Sequence, residues 1–201
     1  MTAMLDLEPP ARRMAQVVGD IADDQLAAPT PCEGTTVGDL LHHVLGLSIA
    51  FRDAARKELG PTTRVDPTSS RPSAALLPTD WRARVPRLLD ELVAAWREPG
   101  AWEGTTQAGG VTLPAEVAGR VALNELVLHG WDLARATGQE YTCDEASLRA
   151  SIDLLSRTTD EADRAGTFGP VVEVPPDAPL LHRAVGLGGR RPSWSPGPVP
   201  G

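Results

Sequence analysis

Glu125, His129 and Asp132 stand four and three residues apart in the run Asn124-Glu125-Leu126-Val127-Leu128-His129-Gly130-Trp131-Asp132-Leu133-Ala134-Arg135. On an α-helix that spacing stacks a carboxylate, an imidazole and a second carboxylate on one face. The residues between them are mostly apolar, so the three form a polar stripe in a segment that otherwise reads as core. Buried polar groups cost stability unless they are paired, protonated or bound to a metal. An oxygen donor and a nitrogen donor one turn apart are half of a divalent metal site. A catalytic zinc-type site has three protein ligands and an open position. The third ligand must then come from a neighbouring helix.

Two histidines lie well ahead of this run, His42 and His43. On a wheel of about 100° per residue, Val37, Leu40, Leu41, Val44, Ser48 and Phe51 share one face. His43 falls at the margin of that face. His42 falls further round, with Asp39, Gly46 and Asp53. The wheel favours His43 as the third ligand. A metal-free alternative stays open, because a Glu–His pair one turn apart is often a surface contact worth ~0.3 kcal/mol. The apolar residues around Glu125 and His129 argue for burial instead. Asp132 has two roles open to it: accepting a hydrogen bond from a ligand imidazole, or pairing with Arg135 or another cation. The ion pair is the favoured one, with Arg135 a structural partner rather than a substrate clamp.

These side chains need helices to hold them, and the pattern is all-α. Met4 to Ala28 reads as a helix entered through Pro9 and Pro10, with Met14, Val17, Val18, Ile21 and Leu26 at helical spacing. A second helix is predicted from Val37 to Leu59, ended by Gly60-Pro61. Residues 61–78 read as a loop. A third helix covers Thr79 to Arg97, capped by Thr79 or Asp80, with Pro86 kinking it or moving its start. Residues 98–112 read as irregular. Pro114 opens a fourth helix that runs to Thr137, stops at Gly138 and is central in the fold. Asp144 caps a fifth helix to about Asp160. The prediction is an antiparallel four-helix bundle with a long crossover, a short extra helix and an extended C-terminal arm. The helical metal-binding domain covers 1–165. The extension covers 166–201, and about its last ten residues are expected to be disordered.

Bulk composition narrows the function. With 201 residues, one domain with a real core is expected. A formal net charge of −8, with basic residues concentrated only at Arg183, Arg190 and Arg191, argues against nucleic acid. No apolar run is long enough to span a membrane, and no secretory signal is visible. Cys32 and Cys143 lack metal-ligand spacing and read as two reduced thiols of a cytoplasmic protein. Cys32 precedes a helix N-terminus, which would activate a thiol, but it reads more simply as a small buried turn residue. No serine sits in a nucleophile elbow. Gly109-Gly110 and Gly186 to Gly189 lack a phosphate-binding context.

Thr30-Pro31-Cys32-Glu33-Gly34, followed by Val37-Gly38-Asp39-Leu40-Leu41-His42-His43, resembles a signature of actinobacterial DinB/YfiT-like proteins. So does Asn124 to Gly138. The stretches Phe168-Gly169-Pro170, Val174-Pro175, Asp177-Ala178-Pro179 and Gly189-Arg190 follow the same family's closing pattern. The family resembles the metal-binding N-terminal domain of mycothiol-dependent maleylpyruvate isomerase. The resemblance implies a DinB-like four-helix bundle with zinc, or else nickel, held by His43, Glu125 and His129. Thr35 stands where the family usually has Trp, which bears on local packing rather than on the ligands. The isomerase has a further C-terminal domain that this sequence is not expected to contain, so activity on maleylpyruvate itself is not implied. The implied chemistry is that of a thiol S-transferase or isomerase. The metal would hold the sulfur of mycothiol, or a similar low-molecular-weight thiol, as thiolate for attack on a small electrophile. A non-catalytic metal- or small-molecule-binding protein of the same fold is the alternative. The chain is expected to be a monomer or homodimer.

Overall fold

The computed structural model describes residues 4–65, 71–157, 164 and 168–197. Among them the chain forms seven α-helices and one two-stranded sheet. The helices are α1 (Glu8–Gly19), α2 (Val37–Arg56), α3 (Pro61–Arg64), α4 (Trp81–Trp96), α5 (Ala115–Ala136), α6 (Glu145–Leu155) and α7 (Leu180–Leu187). The strands are β1 (Thr105–Ala108) and β2 (Val111–Pro114).

α1 starts with Pro9 in its first turn, where the missing N–H costs nothing. It stops at Gly19, well short of Ala28. Ile21 is buried, but it reaches the core from a turn rather than from a helix. Residues 23–25 form a single 3-10 turn. α2 opens on a reciprocal cap. The Asp39 N–H donates to Thr36 Oγ1 at 3.2 Å, and the Thr36 N–H donates to Asp39 Oδ2 at 2.9 Å. This cap starts the helix that carries His43. α2 ends at Arg56, with Lys57 in the left-handed region. The expected loop at 61–78 contains α3 and a 3-10 turn at 74–76, and residues 66–70 lie outside the described ones. Asp80 is the N-cap residue of α4 as expected, but its side chain makes no capping bond and pairs with Arg84 instead. Pro86 is accommodated inside α4.

The all-α expectation fails at residues 105–114, where β1 and β2 pair antiparallel from Thr105↔Pro114 to Ala108↔Val111. Gly109 and Gly110 have φ of 60° and 77°, the positive pair that a type I′ hairpin turn requires. Thr106 Oγ1 donates to Ala54 O at 2.6 Å, and the Ala115 N–H donates to Gly104 O at 3.0 Å. The hairpin thereby ties the end of α2 to the start of α5, the two helices that carry the candidate ligands.

α1 packs on α4 and α5, and α2 packs on the same pair, so the four long helices form a closed ring. Met14, Val17, Leu41, Val44, Leu89, Leu92, Leu126 and Leu133 are fully buried. Each contributes about 1.5–3 kcal/mol by leaving water. α6 covers another side of α5, and α7 packs on α6. α5 therefore has no broad solvent face, and Asn124, His129 and Asp132 are buried with its apolar residues. α6 opens on Asp144, whose Oδ1 accepts from the Ser147 N–H at 2.9 Å; the helix ends at Leu155, and residues 158–160 lie outside the described ones. The C-terminal stretch is not wholly extended, since α7 forms within it. Residues 198–201 lie outside the described ones. Among the described residues, no helix is long and apolar enough to cross a membrane.

Candidate metal centre

His43 lies two turns into α2, and Glu125 and His129 lie one turn apart on α5. The α2–α5 packing brings all three together. Glu125 Oε2 is 3.0 Å from His129 Nε2 and 3.5 Å from His43 Nε2. The donor atoms of the three residues all lie within 4.8 Å of one another, and the two imidazoles meet edge to face with centroids 5.0 Å apart. Atoms bound to one tetrahedral ion at about 2.0–2.2 Å lie roughly 3.4 Å apart. The three donors therefore need little movement to share an ion. Two imidazole nitrogens and a carboxylate oxygen also form a donor set that suits zinc or nickel. Exposure is graded across the group: His129 shows 10% of its side chain, Glu125 18% and His43 31%. Access from solvent is on the α2 side. His42 is not part of the group; its Nδ1 accepts from the Ser73 N–H at 3.3 Å.

Asp132 contacts the other ring nitrogen. His129 Nδ1 lies 3.0 Å from Asp132 Oδ2. An ionised carboxylate can only accept, so Nδ1 carries the hydrogen and Nε2 is left to face Glu125 and His43. The expected Asp132–Arg135 pair does not form. Arg135 donates instead to Trp194 O from Nε at 3.1 Å and from Nη2 at 2.5 Å. Residues three apart on a helix can meet, but Arg135 is directed to the C-terminal segment. The cation on Asp132 is Arg190, whose Nη2 donates to Oδ2 at 2.9 Å and whose Nε donates to Oδ1 at 3.3 Å. Sequence reasoning noted Arg190 as part of a small basic cluster and of the closing Gly189-Arg190 pattern, with no role at the site.

Cys32 is not simply a turn filler. It is half-buried, its Sγ donates to Asp132 Oδ2 at 3.1 Å, and it accepts from Arg190 Nη2 at 3.2 Å. Its loop is closed through Thr30: Thr35 O accepts from the Thr30 N–H at 3.1 Å and from Thr30 Oγ1 at 2.9 Å. Cys32, His129 and Asp132 make a second group with metal-ligand types and spacing. The Arg190 guanidinium already supplies the positive charge on that side.

The ionisation states follow from these contacts. Burial raises the Glu125 pKa, but the charge on His129 and hydrogen bonds from His129 and His43 outweigh it and hold the carboxylate ionised. Burial likewise raises that of Asp132, yet Arg190 and His129 bring it down to about 2. Burial alone would lower the pKa of His129. The adjacent Glu125 charge and the Asp132 bond win, and it stays well above the usual imidazole value. Without a metal, His129 is an imidazolium between two carboxylates. A metal ion bound there would take the place of that proton.

Helices, donor geometry and charge together define a candidate metal site in a mostly helical protein, and comparison with known proteins assigns the family. Residues 7–134 match the family described as the mycothiol maleylpyruvate isomerase N-terminal domain, and the chain belongs to that family. Two curated relatives, both uncharacterized proteins of Mycobacterium tuberculosis from different strains, are each 29% identical over 130 residues. Those alignments cover 65% of this chain and 64% of each relative. The fold is similar to that in the crystal structure of the mycothiol-dependent maleylpyruvate isomerase. The TM-score is 0.56 at 20% identity, covering 79% of this chain and 74% of the enzyme. A histidine-to-alanine mutant of that enzyme gives a TM-score of 0.60 at 22% identity with the same coverage.

Proposed function

We propose that this protein binds one divalent metal ion, zinc first and nickel second, through His43, Glu125 and His129, and that it is a thiol-dependent S-transferase or isomerase. The single observation that carries this reading is the convergence of two imidazoles and a carboxylate from two helices, their donor atoms within 4.8 Å of one another. Membership of the mycothiol maleylpyruvate isomerase family supports mycothiol, or a similar low-molecular-weight thiol, as cosubstrate. We read the ring of α1, α2, α4 and α5 as a DinB-like antiparallel four-helix bundle, with the α4–α5 connection and its hairpin as the long crossover. In this reading residues 1–165 are the metal-binding domain and 166–201 its extension. The two free cysteines suit a reducing compartment, and we assign the protein to the cytoplasm, as a monomer or homodimer acting on small molecules.

A bound divalent ion would supply a Lewis acid that favours the thiolate form of a sulfur cosubstrate at neutral pH. The protein's own groups do the rest. Glu125 supplies negative charge beside the ion. Asp132 keeps the hydrogen of His129 on Nδ1, leaving Nε2 to the ion. His43, the most exposed of the three, borders the face from which thiol and electrophile approach.

The test is calorimetric titration of mycothiol into zinc-loaded protein, together with a turnover assay over a panel of small electrophiles. Thiol binding that depends on bound zinc, with thiol-dependent conversion of at least one electrophile, is the expected result. Zinc binding without thiol binding or turnover would replace the enzyme reading with that of a metal-binding accessory protein.

A further inference from the structure

The residue that completes the Asp132 side of the centre comes from the far end of the chain, and the local structure aims it there. α7 ends at Leu187, and Gly189 takes φ +84°. The Arg190 N–H reaches back to Val185 O at 2.9 Å and the Gly189 N–H to Gly186 O at 3.0 Å. This is the paired-bond helix ending in which the residue after a left-handed glycine turns back over the last turn. Arg190 is that residue. Its Nη1 donates to Gly188 O at 2.5 Å, which fixes the guanidinium before it meets Asp132. The approach to α5 is close enough that a Cβ on Gly188 would lie 2.8 Å from Leu128 Cδ1. Arg190 is 9% exposed and Asp132 is fully buried, so the pair is held in place on all sides.

On the reading that His43, Glu125 and His129 hold a metal, we propose that Arg190 is a positioning residue for that centre. It holds both oxygens of Asp132. Asp132 in turn holds His129 Nδ1–H, so that His129 Nε2 faces Glu125 and His43. The ligand is therefore oriented from the C-terminal segment through two side chains. Such outer contacts commonly change metal affinity by about 10–100-fold. Linkage makes the effect reciprocal: whatever the docked segment adds to metal affinity, the bound metal adds to the docking of the segment.

A second arginine provides the internal control. Arg135 also ties α5 to the C-terminal segment, through Trp194 O, and it touches no candidate ligand in the described structure. The experiment measures zinc affinity by chelator competition, and Tm, on the full-length wild type, Arg190→Met, Arg190→Lys and Arg135→Met. Trypsin cleavage within residues 183–191 is followed with and without zinc. The expected result is zinc affinity about 10–100-fold weaker in Arg190→Met, with a smaller loss in Arg190→Lys. Arg135→Met should lower Tm and leave zinc affinity unchanged. Zinc should slow trypsin cleavage in the wild type but not in Arg190→Met. If Arg190→Met fails to fold, Arg190→Lys decides, because one point-charge bond in place of the fork must still weaken zinc binding. Equal zinc affinity in wild type and Arg190 variants, with Tm losses like that of Arg135→Met, would overturn the positioning role and leave the metal site intact. A wild type that binds no zinc would overturn the site itself, and this role with it.

Discussion

The two nitrogens of His129 face two half-sites with similar residue types and different charge. On the Nε2 side, Glu125 meets the imidazoles of His129 and His43, where a metal ion could displace the His129 proton. On the Nδ1 side, Asp132 and Cys32 meet Arg190, whose charge is permanent at any working pH. Both groups have the composition and spacing of a metal site. Residue types alone do not choose between them. The compensating charge does: a divalent ion would complete the first group, whereas in the second it would have to displace a buried arginine. Each carboxylate then has a distinct part: Glu125 would face a bound ion, and Asp132 orients the imidazole.

The largest disruption should come from the residue the two halves share. His129→Ala removes a ligand and the partner of both carboxylates, and purified protein should carry no stoichiometric metal by elemental analysis. Next is Asp132→Ala, which strands the Arg190 guanidinium in the interior. Removing one partner of a buried pair costs about 3–5 kcal/mol, to be read from denaturant unfolding of the metal-free protein. A loss below ~1 kcal/mol, the range of exposed pairs, would mean that the Arg190–Asp132 contact is looser than its geometry.

The acid limb of stability sharpens the same contrast. Asp132 has its pKa depressed from 3.8 to about 2 in the fold. A carboxylate with a depressed folded-state pKa stabilises the protein above its unfolded value, and that contribution is lost as the pH falls toward the folded one. Metal-free wild type should therefore lose stability between about pH 4 and 2, and Asp132→Asn should flatten that limb. An unchanged limb in Asp132→Asn would contradict the assignment of an ionised Asp132.

Much of the first half-site was legible in the sequence, because helical spacing alone places Glu125 beside His129 and the apolar face of α2 turns His43 toward them. The second half-site was not. Arg190 lies 58 residues from Asp132, and no periodicity connects them. Its direction depends on the Gly189 turn, a local signal whose destination is a matter of tertiary packing. Arg135, the nearer arginine, was the natural partner by spacing and proved to serve the backbone at Trp194. The hairpin at 105–114 did carry a signal, two adjacent glycines between Ala108 and Val111 with Thr residues on either side, but its strands of four residues are too short for alternation to stand out. At Ile21, apolar spacing continued past the true end of α1 because a turn can fill the same core position as a helix.

The smallest effects are expected where the contrast says a residue is dispensable. Cys32→Ser should keep its metal, because Arg190 already neutralises that side, and His42→Ala should keep it because, among the described residues, His42 bonds the Ser73 backbone and not the candidate ligands. Metal lost from Cys32→Ser would move the site to the Nδ1 half. Cys143 gives a further check on thiol behaviour. Burial, with Asp144 beside it, pushes its pKa up to about 12, so the native protein at pH 8 should resist alkylation there, with the thiolate forming only as the pH approaches that value.

The most direct measurement is the metal content of purified wild type, His43→Ala and Glu125→Ala by elemental analysis. The account predicts one equivalent of divalent metal in the wild type and loss of it in both variants, with the helical fold retained by circular dichroism. Full metal retention in either variant, or a wild type that takes up none when zinc is supplied, would contradict it.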